Sequence, residues 1–405
     1  MYQYHQLKNG IRIVFRRSRS AVAYSGVYVN IGSRDEQAAD EGMAHFIEHS
    51  LFKGTAHRRA YHILNRIDGV GGELNAFTTK EETCIYASSL TEHLGRCLEL
   101  FSDVLFNSTF PDHELNREKE VVLDEIDSYR DTPSELIFDE YEEMAFEGHP
   151  IAHNILGNKR TVRRFTPDRV RRFFSSRYTT GRMVVSVVAD IDFGRLVRMC
   201  ERYFADRPAV ESAADRSAKP QFRTFNRTVS RRTHQLHAII GCQAPDTFDQ
   251  RRTAFTVLNN LLGGPAMNSR LNMAVRERHG FCYTVESQYT PFSDTGLCCI
   301  YAGIEPGYGQ QATELILAEL ANLGRNKLTD RQLRAAQRQL VGQMTVAADQ
   351  AINEMQSIGK SHLNYDRVDS LDEMSRDVMA VTATEIRDLA AEMFAPDRLS
   401  FLYYK

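Results

Sequence analysis

The tetrapeptide Cys84-Ile85-Tyr86-Ala87 returns about two hundred residues later as Cys299-Ile300-Tyr301-Ala302, and other segments return in the same order. Pro111-Asp112-His113-Glu114-Leu115 is answered by Thr329-Asp330-Arg331-Gln332-Leu333, each with an acidic residue where a helix would begin. Thr166-Pro167-Asp168-Arg169-Val170 leads through a helical stretch to an apolar strand from Met183 to Val188. Thr382-Ala383-Thr384-Glu385-Ile386 leads likewise to Leu399-Ser400-Phe401-Leu402-Tyr403. A repeat this long is a duplicated domain, not a solenoid. The expected fold is therefore α+β, with two homologous domains that each pack a mainly antiparallel β-sheet with helices. The boundary is expected at 1–210 and 211–405, inside the small polar stretch 206–228.

Composition removes several function classes. A net charge of -3 on 405 residues leaves no basic footprint for nucleic acid. No apolar run approaches the ~20 residues needed to cross a bilayer. The first residues show no basic end followed by a continuous apolar stretch, as a secretory signal would. They read instead as a hairpin turning at Asn9-Gly10. Seven cysteines without a CxxC pair argue for reduced, buried thiols and a cytoplasmic protein, and against a thiolate metal site. Attention passes to histidine and carboxylate.

His45-Phe46-Ile47-Glu48-His49 lies in a stretch, Gly42 to Phe52, whose one glycine is at its start and which has no proline. Small and apolar residues recur there at helical spacing. On a helix, residues at i, i+3 and i+4 share a face, so His45, Glu48 and His49 project together. Two imidazoles one turn apart can hold one Zn2+, with Glu48 beside it as a general base. Thirteen histidines make such a pattern by chance a matter of roughly a few per cent, so a third ligand on another element is the test.

With these residues in view, the chain resembles the pitrilysin/insulinase metallopeptidases, closest to the branch of mitochondrial processing peptidase and its bacterial relatives. The resemblance implies that Glu125, in Glu118-Lys119-Glu120-Val121-Val122-Leu123-Asp124-Glu125, is the third metal ligand. It makes Glu118 a supporting carboxylate of the catalytic centre, and two turns of helix would put both on one face. Gly71-Gly72-Glu73-Leu74-Asn75-Ala76-Phe77-Thr78-Thr79 looks like the family's exposed strand, where a peptide substrate adds as a further strand through Asn75, Ala76, Phe77 and Thr78. Arg276 and Tyr283 match a pair in the second half that contacts substrate.

Aligning the halves sets Glu118 and Glu125 opposite Ala336 and Gln343, so one zinc per chain is expected, in the first domain. The resemblance further implies that the two domains form half of a clamshell around a closed chamber. It implies a homodimer in which Arg276 and Tyr283 of one subunit complete the zinc site of the other. The expected activity is zinc-dependent endopeptidase cleavage of peptides or short unfolded segments. Its rivals are a catalytically silent structural subunit of the same fold and a metal hydrolase of non-peptide substrates. Residues 103–147 carry fifteen acidic and three basic side chains, either a chamber lining that favours basic peptides or a solvated outer surface.

Overall fold

The computed structural model describes residues 1–210, 216 and 218–405. Contacts divide the chain into two compact units. One comprises Met1–Asp127, His153–Ser217 and Val346–Ser370; the other comprises Ser128–Ala152, Ala218–Thr345 and Leu371–Lys405. A single cut near residue 210 follows the two sheets, but each unit also takes one helical segment from the other half of the sequence.

The first unit is built on a six-stranded sheet of β1 (Tyr2–Gln6), β2 (Arg12–Arg17), β3 (Val22–Val29), β4 (Glu73–Thr78), β5 (Thr83–Leu90) and β6 (Met183–Ala189). Its strand order is β1-β2-β6-β3-β5-β4. Every neighbouring pair is antiparallel except β2 with β6. β6 is apolar but for Ser186 and buried along its whole length, because it is central and covered on both faces. Its alternate residues serve different cores. Met183, Val185 and Val187 join helices including Met43–Ser50 and Leu94–Phe106 on one face. Val184 and Val188 join Val14, Tyr28 and Cys84 on the other.

That second face is closed by helix Ala351–Tyr365, through Met355, Ile358 and Leu363. Ser186 Oγ donates to the Met355 carbonyl, and Lys360 pairs with the buried Glu82 at 2.7 Å. The helix approaches so closely that a Cβ on Gly359 would lie 2.6 Å from the Tyr28 ring, so no larger residue fits without displacing it.

The second unit repeats the plan with β7 (Asn226–Val229), β8 (Leu236–Ala244), β9 (Cys282–Pro291), β10 (Gly296–Ile304) and β11 (Ser400–Tyr404), in the order β7-β11-β8-β10-β9. Its one parallel pair, β7 with β11, stands where β2 and β6 stand in the first sheet. The repeated tetrapeptide falls on equivalent strands, β5 and β10. One face of this sheet packs against helices such as Arg252–Gly263 and Gly309–Arg325. The other is closed by helix Pro133–Ala145, through Ile137, Tyr141 and Ala145. All seven cysteines are free and buried. Among the described residues, no helix is long and apolar enough to cross a membrane.

Candidate metal centre

His45, Glu48 and His49 lie on helix Met43–Ser50, whose start is fixed by two devices. The buried Glu36 carboxylate accepts from the Gly42 and Ala44 N–H groups at 2.8 and 2.7 Å, satisfying donors that a helix leaves free in its first turn. Gly42 has φ +88°, and a Cβ there would lie 2.6 Å from the Leu156 carbonyl, so the backbone seats directly on the turn beside Gly157. Met43, Ala44, Phe46 and Ile47 are buried beneath, which aims the histidines at the opposite element.

That element is helix Asp112–Arg130, anchored by Leu115, Val122 and Ile126. It brings Glu125 Oε2 to 3.8 Å from His45 Nε2 and 3.6 Å from His49 Nε2. The ligand atoms of the three side chains all lie within 4.8 Å of one another, the one such cluster among the described residues. The separations are too long for hydrogen bonds but suit ligands about 2.0–2.2 Å from a shared tetrahedral ion, which stand roughly 3.3–3.5 Å apart. Glu125 Oε2 is itself buried with no donor to satisfy it. A buried carboxylate oxygen that faces two imidazole nitrogens and lacks a hydrogen-bond partner fits a cation between them. The residues therefore fit zinc.

The two histidines differ in charge state. Burial, helped by the neighbouring His49, pushes His45 down to about 3, so it is neutral at pH 7, as a ligand must be. Burial also acts to lower His49, but the hydrogen bond to Glu118 and the surrounding carboxylates carry it upward. Glu118 Oε1 lies 2.9 Å from His49 Nδ1, and its Oε2 is 2.6 Å from Lys53 Nζ. Burial pushes the Glu118 carboxyl up, but these two partners outweigh it and hold the group below the usual carboxylate range. Burial raises Glu48, against a hydrogen bond from Thr78 Oγ1 to its Oε2 at 2.9 Å.

Asn75, Ala76, Phe77 and Thr78 all lie in β4, which forms one edge of the first sheet, and Asn75 is exposed. Thr78 therefore joins that edge to Glu48. Thr78→Val removes this charge-assisted hydrogen bond and is expected to destabilise the fold by about 1–3 kcal/mol, with Thr78→Ser close to wild type. Urea denaturation of the two variants checks this.

Arg276 and Tyr283 belong to the second unit. Arg276 lies in a π-type turn, Asn272–Glu277, with its nearest carboxylate the adjacent Glu277 at 3.8 Å. Tyr283, near the start of β9, is 75% exposed, so it is not a core residue of that strand. In the second unit's helix Arg252–Gly263, Leu258 and Leu262 are buried apolar residues, and no histidine is present.

Three partners of the site carry no signature in the sequence reading: Glu36, the Thr78 hydroxyl and Lys53. Even the four-residue spacing of Lys53 from His49 is no guide, because Lys53 lies beyond the end of the helix and meets Glu118 instead.

The chain matches the model of the insulinase family, peptidase family M16, over residues 12–159, and that of the peptidase M16 inactive domain over residues 164–340. It is 34% identical to "Uncharacterized zinc protease YmxG" of Bacillus subtilis, across 98% of this chain and 97% of that protein. The chain belongs to peptidase family M16. A second relative of this M16 chain, an uncharacterized zinc protease of Streptomyces coelicolor, is 34% identical across 96% of the chain and 86% of its own length. Two solved structures share the fold of the M16 chain. A protease from Helicobacter pylori superposes with a TM-score of 0.94 at 19% identity, covering 100% of this chain and 99% of its own. A peptidase M16 inactive domain from Pseudomonas fluorescens does so with 0.90 at 20%, covering 100% and 97%.

Proposed function

We propose that this M16 chain is a zinc-dependent endopeptidase, holding one Zn2+ through His45, His49 and Glu125 and hydrolysing peptides or short unfolded segments inside an enclosed chamber. The observation that carries the reading is the buried Glu125 oxygen, without a donor, facing two imidazole nitrogens with Glu48 on the same helix face. The relatives named zinc proteases support it. So does the placement of the inactive-domain match over residues 164–340, which leaves the histidine pair and both glutamates in the half that matches the insulinase model.

Zinc held there supplies a Lewis acid for the scissile carbonyl and lowers the pKa of a water toward ~7. Glu48 takes the proton of the attacking water and returns it to the leaving amine. Thr78 occupies one of its oxygens and leaves the other for that exchange. Glu118 accepts from His49 Nδ1 and so directs the Nε2 lone pair at the ligand position. β4 offers its free edge to an extended peptide, whose backbone pairs with Asn75, Ala76, Phe77 and Thr78 irrespective of sequence. Arg276 and Tyr283, supplied by a second copy of the chain in a homodimer, hold the substrate carbonyl. Their exposure and lack of tight partners support that assignment. Free, buried cysteines suit a reducing compartment, and the cytoplasm is the proposed site of action.

The test joins zinc content per chain with cleavage of a quenched peptide library, before and after chelation and zinc return. A mixture of Glu48→Gln and Arg276→Ala proteins then tests the dimer. If the sites form in trans, the mixed dimer contains one site with both residues intact, and activity returns. If each chain completes its own site, both sites in the mixed dimer stay defective and mixing restores nothing.

A further inference from the structure

The two histidine ligands are held differently. His45 is buried, and its Nδ1 has no hydrogen-bond partner, so packing alone orients its ring. His49 is more open, with its side chain 23% exposed, yet its Nδ1 is tied to Glu118 Oε1 at 2.9 Å. Glu118 is 6% exposed, and its second oxygen meets Lys53 Nζ at 2.6 Å. Lys53 follows the end of helix Met43–Ser50, where its N–H donates to the Ser50 carbonyl. The chain Lys53–Glu118–His49 therefore begins and ends on one segment and crosses to the helix that carries Glu125.

We propose that Lys53 is a positioning residue for the metal centre, fixing the Glu118 carboxylate so that it orients His49. The proposal rests on the zinc reading above. A buried carboxylate needs a donor at each oxygen, and a cation at Oε2 is the partner that leaves Oε1 free to accept from the imidazole. Without the ammonium, Oε2 keeps a buried charge with no donor. The carboxylate then turns toward solvent, and His49 loses the acceptor that sets its ring plane. Because His45 is held by packing alone, Glu118 is the one hydrogen-bonding acceptor that sets a ligand ring plane among the described residues. Glu125 is on the same helix as Glu118, so the ion pair also ties the two ligand-bearing segments together.

Zinc dissociation constants for wild type, Lys53→Met and Lys53→Arg, measured by competition with a chromogenic chelator at one pH, test this. Lys53→Met keeps most of the stem and is expected to bind zinc roughly tenfold or more weakly, in the range for loss of groups that support metal ligands. Lys53→Arg is expected to stay close to wild type. Glu118→Gln provides the second readout: if Lys53 acts through Glu118, adding Lys53→Met to that background weakens binding no further. Circular dichroism of the metal-free proteins shows whether each is folded. Equal zinc affinity in Lys53→Met and wild type overturns the proposal, as does an undiminished Lys53→Met effect in the Glu118→Gln background. A folded wild type that binds no zinc overturns the metal reading, and the proposal with it, a failure seen before any variant is compared.

Discussion

Glu48→Gln is expected to bind one zinc per chain and to turn over peptide about 10²–10⁴-fold more slowly than wild type. Glutamine has nearly the same shape, and its amide oxygen can accept the Thr78 hydroxyl that now donates to Glu48 Oε2. The helix, the histidines and Glu125 keep their places, so metal content should not change. What disappears is the ability to take a proton and give it back. Burial sets the Glu48 carboxyl above the usual carboxylate range, closer to a working base near neutral pH. Zinc analysis beside kcat for wild type and variant decides the matter. Wild-type turnover in Glu48→Gln would remove Glu48 from the mechanism, and loss of zinc would make it a structural partner of the site.

Glu36→Ala should have the largest effect on stability, a loss of about 2–5 kcal/mol. Its two oxygens accept the Gly42 and Ala44 N–H groups inside the protein, and alanine leaves both donors buried without an acceptor. Glu36 is 3% exposed, so bulk solvent does not reach the donors directly. Because those donors open the helix that carries His45 and His49, the variant should also bind zinc less tightly. Glu36→Gln retains one accepting oxygen and should fall between the two. Urea denaturation of the three proteins, metal-free, gives the stability order. Equal midpoints for wild type and Glu36→Ala would show that the helix start is held by the Gly42 contact alone.

Much of the fold was legible because its signals are local or repeated. The continuous apolar run of β6 reads as a strand, and the returning tetrapeptide marks equivalent strands in two sheets. The histidine pair was legible for the same reason, since one helical turn fixes its geometry. Glu125 was not, because nothing in its own neighbourhood distinguishes it from Glu120 or Asp124; only resemblance selected it. Lys53 and Thr78 act through contacts with segments remote in sequence, and Glu36 reaches back onto Gly42 and Ala44 from an irregular segment, none of which periodicity can see. The same limit hid the destinations of helices Pro133–Ala145 and Ala351–Tyr365. Met355, Ile358 and Leu363 form an apolar face that must be buried, but spacing along a helix does not say against which sheet.

The placement of Ala351–Tyr365 governs when the first unit can finish folding. The last strand of its sheet ends at Ala189, whereas the helix that seals that sheet begins at Ala351. At ribosomal speeds of ~5–20 residues per second, the sheet waits on the order of ten seconds or more with Val14, Tyr28, Val184 and Val188 uncovered. During that interval the nascent chain presents an apolar surface to whatever is nearby. A full chain carrying Ile358→Asp, which spoils only the apolar face of that helix, should bind a hydrophobic dye that wild type does not, and equal dye binding would show that the sheet closes without its late helix. On this account the unit that carries His45, His49 and Glu125 is sealed only by a segment made about 160 residues after the last strand of its sheet.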